Sequence, residues 1–235
     1  MLTIHKPALA LILITAGCAP AAQTEVSYPL RIRGTPARQV VARDGWLVTL
    51  SQARLALGPL YLCASEGASA ELCEDAMGEM RTAVAADALR ADPQELATIQ
   101  GVTGEVRSVA ADFAITWPAT LGAARALAAA PDGHSLVLEG RASKDGKDVD
   151  FRILVDVTPR EAGTLSLQGH RVRGTVSAAP GPLLVTVDPN SWVQAVDFEG
   201  LSSPPGAALV LDASSRAANA VTVALTATQP PAFTW

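Results

Sequence analysis

His134 and His170 are the only imidazoles in the body of this 235-residue chain, apart from His5 near its start. A tight tetrahedral metal site takes three or four imidazole or thiolate ligands held close together. Two histidines 36 positions apart, each beside a turn or strand, read instead as surface or turn residues. Met77 and Met80 stand three apart in a segment with helical character, which would put both sulfurs on one face toward copper(I). Two thioethers alone make a weak site, and packing of that helix against a sheet is the expectation. Asp145, Asp148 and Asp150 are spaced like oxygen ligands for calcium, but they lack the 12-residue loop and its closing glutamate. Asp150 and Asp156 fall on one strand face by period, where solvent-facing acids are routine. There is no G-x-S-x-G, no G-x-G-x-x-G and no phosphate-binding glycine loop. The expectation is a protein with no catalytic residue, no metal site and no cofactor, hence not an enzyme.

The elements that would position such residues read as short strands. Tyr28, Leu30 and Ile32 alternate with polar neighbours between Val26 and Arg33, which is strand period. Trp46 to Leu50 follows the turn at Asp44-Gly45, and Arg54 to Leu57 and Leu60 to Cys63 continue it, interrupted at Gly58-Pro59. Residues 64–100 hold eight acids against two arginines and read as a long connection. Strand character returns from Glu105 to Trp117, with Phe113, Ile115 and Trp117 on one face. The segments Ser135 to Ala142 and Asp148 to Thr158 flank Lys144-Asp145-Gly146-Lys147, a hairpin with a type I′ turn. Leu165 to Leu167, Val172 to Val176, Leu183 to Val187, Ala207 to Leu211 and Val221 to Ala227 supply further strands. Helix is expected near 70–80, 93–99, 121–130 and 190–197, where Asp92-Pro93 and Asp188-Pro189 look like helix starts. About ten short strands with turn chemistry between them predict an all-β chain, a single β-sandwich or barrel-like domain over residues 26–235 with a few short helices. Trp46, Trp117 and Trp192 lie in apolar stretches and are expected in its core.

The first residues carry an address. His5 and Lys6, the apolar run Ala8 to Ile14 and the small-residue exit Thr15-Ala16-Gly17 describe an export signal, too short for a membrane span of about 20 residues. Thr15-Ala16-Gly17-Cys18 resembles the bacterial lipobox, with Thr15 where that motif more often has Leu, Val or Ile. The resemblance implies cleavage after residue 17, diacylation of Cys18, and a flexible tether over residues 18–25. Ala19 after the cysteine implies sorting to the outer membrane, facing the periplasm or the cell surface. With Cys18 given to lipid, Cys63 and Cys73 remain as an even pair in an oxidising compartment, and a disulfide follows. Closing that loop is worth about 2.7 kcal/mol in the chain-entropy picture.

A net charge of −5 and 49% hydrophobic residues describe a chain that buries a core and excludes nucleic acid as partner. The patch Arg31, Arg33, Arg38 and Arg43 contains no acid before Asp44, and reads as a solvated strand face or a contact for anionic lipid. Phe233-Thr234-Trp235 resembles the aromatic ending of outer-membrane barrels, but Pro230-Pro231 breaks that strand and no spanning barrel is predicted. The signal, the lipobox and a β-rich body with Asp44-Gly45-Trp46 opening its main strand are similar to domains of envelope lipoproteins. That resemblance implies no activity. Three classes therefore stand: a non-enzymatic lipoprotein binding a protein or envelope component, a periplasmic metal- or ligand-handling protein, and a hydrolase with a scattered site. The first is preferred. Metabolic labelling with a fatty-acid analogue should mark the wild-type chain and miss Cys18→Ser; equal labelling of both would refute the anchor.

Overall fold

The computed structural model describes residues 23–66, 73 and 76–235. Cys18, the signal segment and most of the expected tether lie outside these residues. Thr24 and Glu25, assigned to the tether, already belong to the body: Thr24 N–H donates to Thr103 Oγ1 at 3.0 Å and Thr103 N–H to Thr24 O at 2.9 Å.

In chain order the strands are β1 (Glu25–Arg33), β2 (Val40–Val41), β3 (Leu47–Leu57), β4 (Leu60–Cys63), β5 (Ala76–Met80), β6 (Val84–Asp87), β7 (Gln94–Val102) and β8 (Gly104–Ala111). They continue with β9 (Ile115–Thr116), β10 (Arg125–Ala126), β11 (Leu136–Lys144), β12 (Lys147–Val155), β13 (Leu167–Val176), β14 (Leu183–Thr186), β15 (Leu209–Leu211) and β16 (Ala232–Thr234). Two short α-helices are described, α1 (Pro189–Val193) and α2 (Arg216–Val223), the latter running into a π-helical turn at Ala224–Thr228. The fold is mainly β, as the strand patterning predicts.

Eight strands form one sheet in the order β13-β8-β4-β5-β7-β1-β14-β16, and a second sheet runs β15-β12-β11-β3-β2 with β6 also paired to β3. Among the described strand pairs only β1–β14 and β12–β15 are parallel. The inward residues are those the alternation indicates, Tyr28, Leu30 and Ile32 among them, and one continuous core draws on both sheets. The β11–β12 hairpin pairs Lys144 with Lys147 across Asp145 (φ 50°) and Gly146 (φ 76°), the two left-handed residues a type I′ turn requires. Cys63 and Cys73 are bonded, with sulfurs 2.13 Å apart and Cα atoms 5.5 Å apart.

Five local expectations fail. Residues 64–100 are no mere connection, because β5, β6 and β7 come from them. Of the expected 70–80 helix, residues 70–72, 74 and 75 lie outside the described residues and Ala76–Met80 is strand. Residues 94–99 form the first part of β7 and pair with β1. The ladder with β1 outweighs the Asp-Pro start signal, since β structure follows its neighbours more than its own propensity. Residues 121–130 make turns and the two-residue β10. Conversely, Val221 to Ala227, read as a strand, is helical. Ser215 caps α2 by accepting from Ala218 N–H at 3.1 Å, and Ala217, Ala218, Val221, Ala224 and Leu225 form its buried stripe at helical spacing. Thr222 and Thr226 hydroxyls donate to carbonyls four residues back, which satisfies both hydroxyls within the helix. The helix expected at 190–197 is present but shorter, with Asp188 accepting from Asn190 N–H.

The eight-stranded sheet curls until its end strands meet. His170 on β13 packs on Phe233 of β16 with ring centroids 5.8 Å apart, and the Trp235 ring occupies the space where a side chain on Gly174 would lie. Gly174→Ala should therefore push Trp235 out of the seam at a cost of about 1–3 kcal/mol. Denaturant titration should show that loss in the wild-type background and little of it in Trp235→Ala. Equal losses in both backgrounds would refute the seam.

Candidate functional site

The outer face of the six-stranded sheet collects the most charge. Asp132, in a tight turn at φ 53°, is clasped by Arg54 from β3 and Arg152 from β12, and Arg152 also approaches Glu139 at 3.4 Å. Hydrogen bonding from Arg54 holds the Asp132 carboxyl below its ordinary value. His134 Nδ1 lies 2.8 Å from Asp156 Oδ1, a pairing of two residues that sequence considered separately. A His–Asp pair can orient a general base, but that base needs a nucleophile within reach. The adjacent Ser135 is fully buried, and its Oγ accepts from Val157 N–H at 3.1 Å. His170 stands apart on β13, where burial pushes its imidazole down. Asp150 and Asp148 are taken up by Arg141, at 2.7 Å and 3.7 Å. Among the described residues no three His, Cys, Asp or Glu side chains are placed to hold a metal ion.

The remaining sequence candidates are also accounted for by neighbours. Met77 and Met80 are on a strand and not on one face of a helix; the pairing with β4 shifts register at Met77, and both side chains are buried in the core. Met77 packs beside Gly104 and Met80 beside Gly58. Of the expected basic patch, Arg31 pairs with Glu95 at 2.9 Å, Arg38 pairs with Asp188 at 3.2 Å and Arg33 donates to Thr186, while Arg43 is exposed and forms no ion pair with a described residue. Trp46 and Trp192 are core residues, Trp192 donating to Gln229 O at 2.9 Å. Trp117 is half-buried, not in the core, and its indole donates to Leu121 O at 2.9 Å.

A different picture holds on the outer face of β8 and β13. Val106 and Val172 point inward and are buried, so Arg107, Arg171 and Arg173 project outward from paired strands. A bulge between Arg171 and Gly174 shifts the register there, a device that re-aims side chains. The result is a groove of about 510 Å³ lined by Glu66, Glu105, Arg107, Arg173 and Thr175, with an adjoining lobe of about 210 Å³ reached by Arg171. Glu105 bonds Arg107 at 2.9 Å. The side chains of Arg171 and Arg173 form no ion pair or hydrogen bond with any described residue. At about 7 Å apart in water two such charges repel by only about 0.6 kcal/mol, so the fold holds them unpaired cheaply. Sequence reading missed this group because Arg107 and Arg171 are 64 positions apart. Only the alternation Arg171-Val172-Arg173 could have marked it.

No family model, curated protein or solved structure matches the chain. A third cluster is buried and bears on stability. Asp112, 1% exposed, accepts from Ser166 N–H at 2.8 Å and from Ser166 Oγ at 2.6 Å, and Ser166 Oγ also lies 3.2 Å from Val157 O. Burial raises the Asp112 carboxyl from 3.8 to about 6, with the two Ser166 bonds opposing part of the rise. The folded chain thus keeps the Asp112 proton at a pH where the unfolded chain has released it. This group favours folding most below about pH 4, and that contribution is lost as pH rises through about 6. Asp112→Asn cannot titrate and keeps an acceptor for Ser166. Between about pH 4 and pH 7 the wild type should lose on the order of 3 kcal/mol relative to the variant in urea titrations. Parallel pH curves would refute the assignment.

Proposed function

We propose that this chain is a non-enzymatic lipoprotein of the bacterial envelope, held on a membrane by lipid on Cys18, which binds an acidic envelope component through the arginine groove. The observation that carries the binding role is the uncommitted pair Arg171 and Arg173 beside an open cavity of about 510 Å³. On the outer face of the six-stranded sheet, by contrast, Arg54, Arg141 and Arg152 are paired with Asp132, Glu139, Asp148 and Asp150. Arginine's planar fork suits carboxylate and phosphate groups. A strand at the closing seam of a curled sheet is a rigid place from which to present it. The export signal and lipobox resemblance support the address, and the path from Cys18 to Glu25 spans at most about 25 Å. The domain would therefore work close to the bilayer.

Photocrosslinking in cells tests this reading. A crosslinker at Thr175 should yield an adduct that disappears in Arg171→Ala/Arg173→Ala, while one at the hairpin tip, Asp145, should not yield that adduct. Thr175 adducts that persist unchanged in the double variant would overturn it.

A further inference from the structure

We propose that the arginine groove binds a phosphate ester that also carries an amine, the chemistry of O-phosphoethanolamine. The inference rests on the reading of the groove as the working surface and names its ligand class. Three arginines and two glutamates meet there, and one pair is already closed, Arg107 with Glu105 at 2.9 Å. What remains is Arg171, Arg173 and Glu66, none of them in an ion pair with a described residue: two positive charges and one negative. A plain dianion would satisfy the arginines but lie against Glu66. A monocarboxylate leaves one arginine unanswered, and a simple amine is repelled by two. A phosphate monoester carries roughly −1.5 to −2 charges at neutral pH. With an ammonium on a two-carbon arm it mirrors the groove's remaining charges.

The placement of the groups agrees with the count. Arg171 and Arg173 alternate with buried Val172 on one strand and both line the 210 Å³ lobe, so a phosphate seated there is within reach of both. Glu66 lines both the 510 Å³ groove and its 210 Å³ lobe, as do Arg107 and Arg173, so a carboxylate is available to the amine wherever the phosphate seats. Thr175 adds a hydroxyl. The cavity exceeds the size of this head group, leaving room for whatever the ester is attached to. The source can be the free monoester or a lipid head group, the latter a phosphodiester that keeps the amine but carries a single negative charge.

The test titrates the full chain by calorimetry with O-phosphoethanolamine, glycerol phosphate, inorganic phosphate and ethanolamine. O-phosphoethanolamine should bind saturably and at least tenfold more tightly than the other three. Arg171→Ala/Arg173→Ala, with its fold checked by circular dichroism, should lose that binding at least tenfold. Glu66→Gln should keep phosphate binding and lose the preference for the amine. No saturable binding by wild type, or undiminished binding by the double variant, would overturn the proposal. For the source, the Cys18→Ser chain is floated with phosphatidylethanolamine or phosphatidylglycerol vesicles. Selective flotation with the former, competed by O-phosphoethanolamine, assigns a lipid head group, and binding of the soluble ester alone assigns a free one. If Thr175 crosslinks depend on the arginines yet none of these ligands binds, the ligand class is wrong and the groove reading stands.

Discussion

Between Leu57 and Leu60 the chain leaves the six-stranded sheet and enters the eight-stranded one, and its backbone is pinned there on both sides. Gly58 N–H donates to Asp112 O at 2.7 Å, Asp112 N–H to Pro59 O at 2.9 Å, and Ala114 N–H to Gly58 O at 3.0 Å. Gly58 has φ +111°, and a side chain on it would run into the carbonyl of Thr82. Only glycine meets both demands. Asp112 follows directly on β8, and its carboxylate holds Ser166 just ahead of β13. The crossing that joins the sheets therefore also sets the two strands that carry the groove.

A buried carboxylate is an expensive way to make such a joint. Its two bonds from Ser166 offset part of the desolvation, and the rest appears as a carboxyl raised to about 6. Protonation would let Asp112 donate to Ser166 Oγ and free the serine hydrogen for Val157 O, at the edge of the other sheet. Both charge states thus leave the joint bonded. The distant seam is closed by different means, with apolar packing of His170 on Phe233 and of Trp235 on Gly174. Deep among these residues burial pushes the Tyr28 hydroxyl up to about 12, partly opposed by the Trp235 indole.

What distinguishes the groove is where charge is left over. On the six-stranded sheet, arginines and acids stand at cross-strand positions and satisfy one another, as Arg141 does with Asp150 directly opposite. On β13 the bulge breaks that regularity, and β8 offers Arg171 only the buried Ser108 as its partner. The unpaired arginines are thus a product of register.

The sequence by itself determined the strands whose alternation faces a single core: β1, the β11–β12 hairpin with its Asp145-Gly146 turn, and the pairing of Cys63 with Cys73. Period-two burial and positive-φ turn residues act over a few neighbours, so they are legible without the fold. The helical stripe Ala217, Ala218, Val221, Ala224 and Leu225 was equally present in the sequence, hidden by the alternating β-branched residues of Val221 to Ala227. Only the tertiary structure decided that residues 94–102 pair as a strand between β1 and β5. It alone decided that Met77 and Met80 are both buried in the core from a strand whose register shifts at Met77, and that Arg107 stands beside Arg171 and Arg173 while Arg31 and Arg38 are neutralised. Each of those outcomes depends on which distant strand lies alongside and in what register, and local pattern carries no information about either.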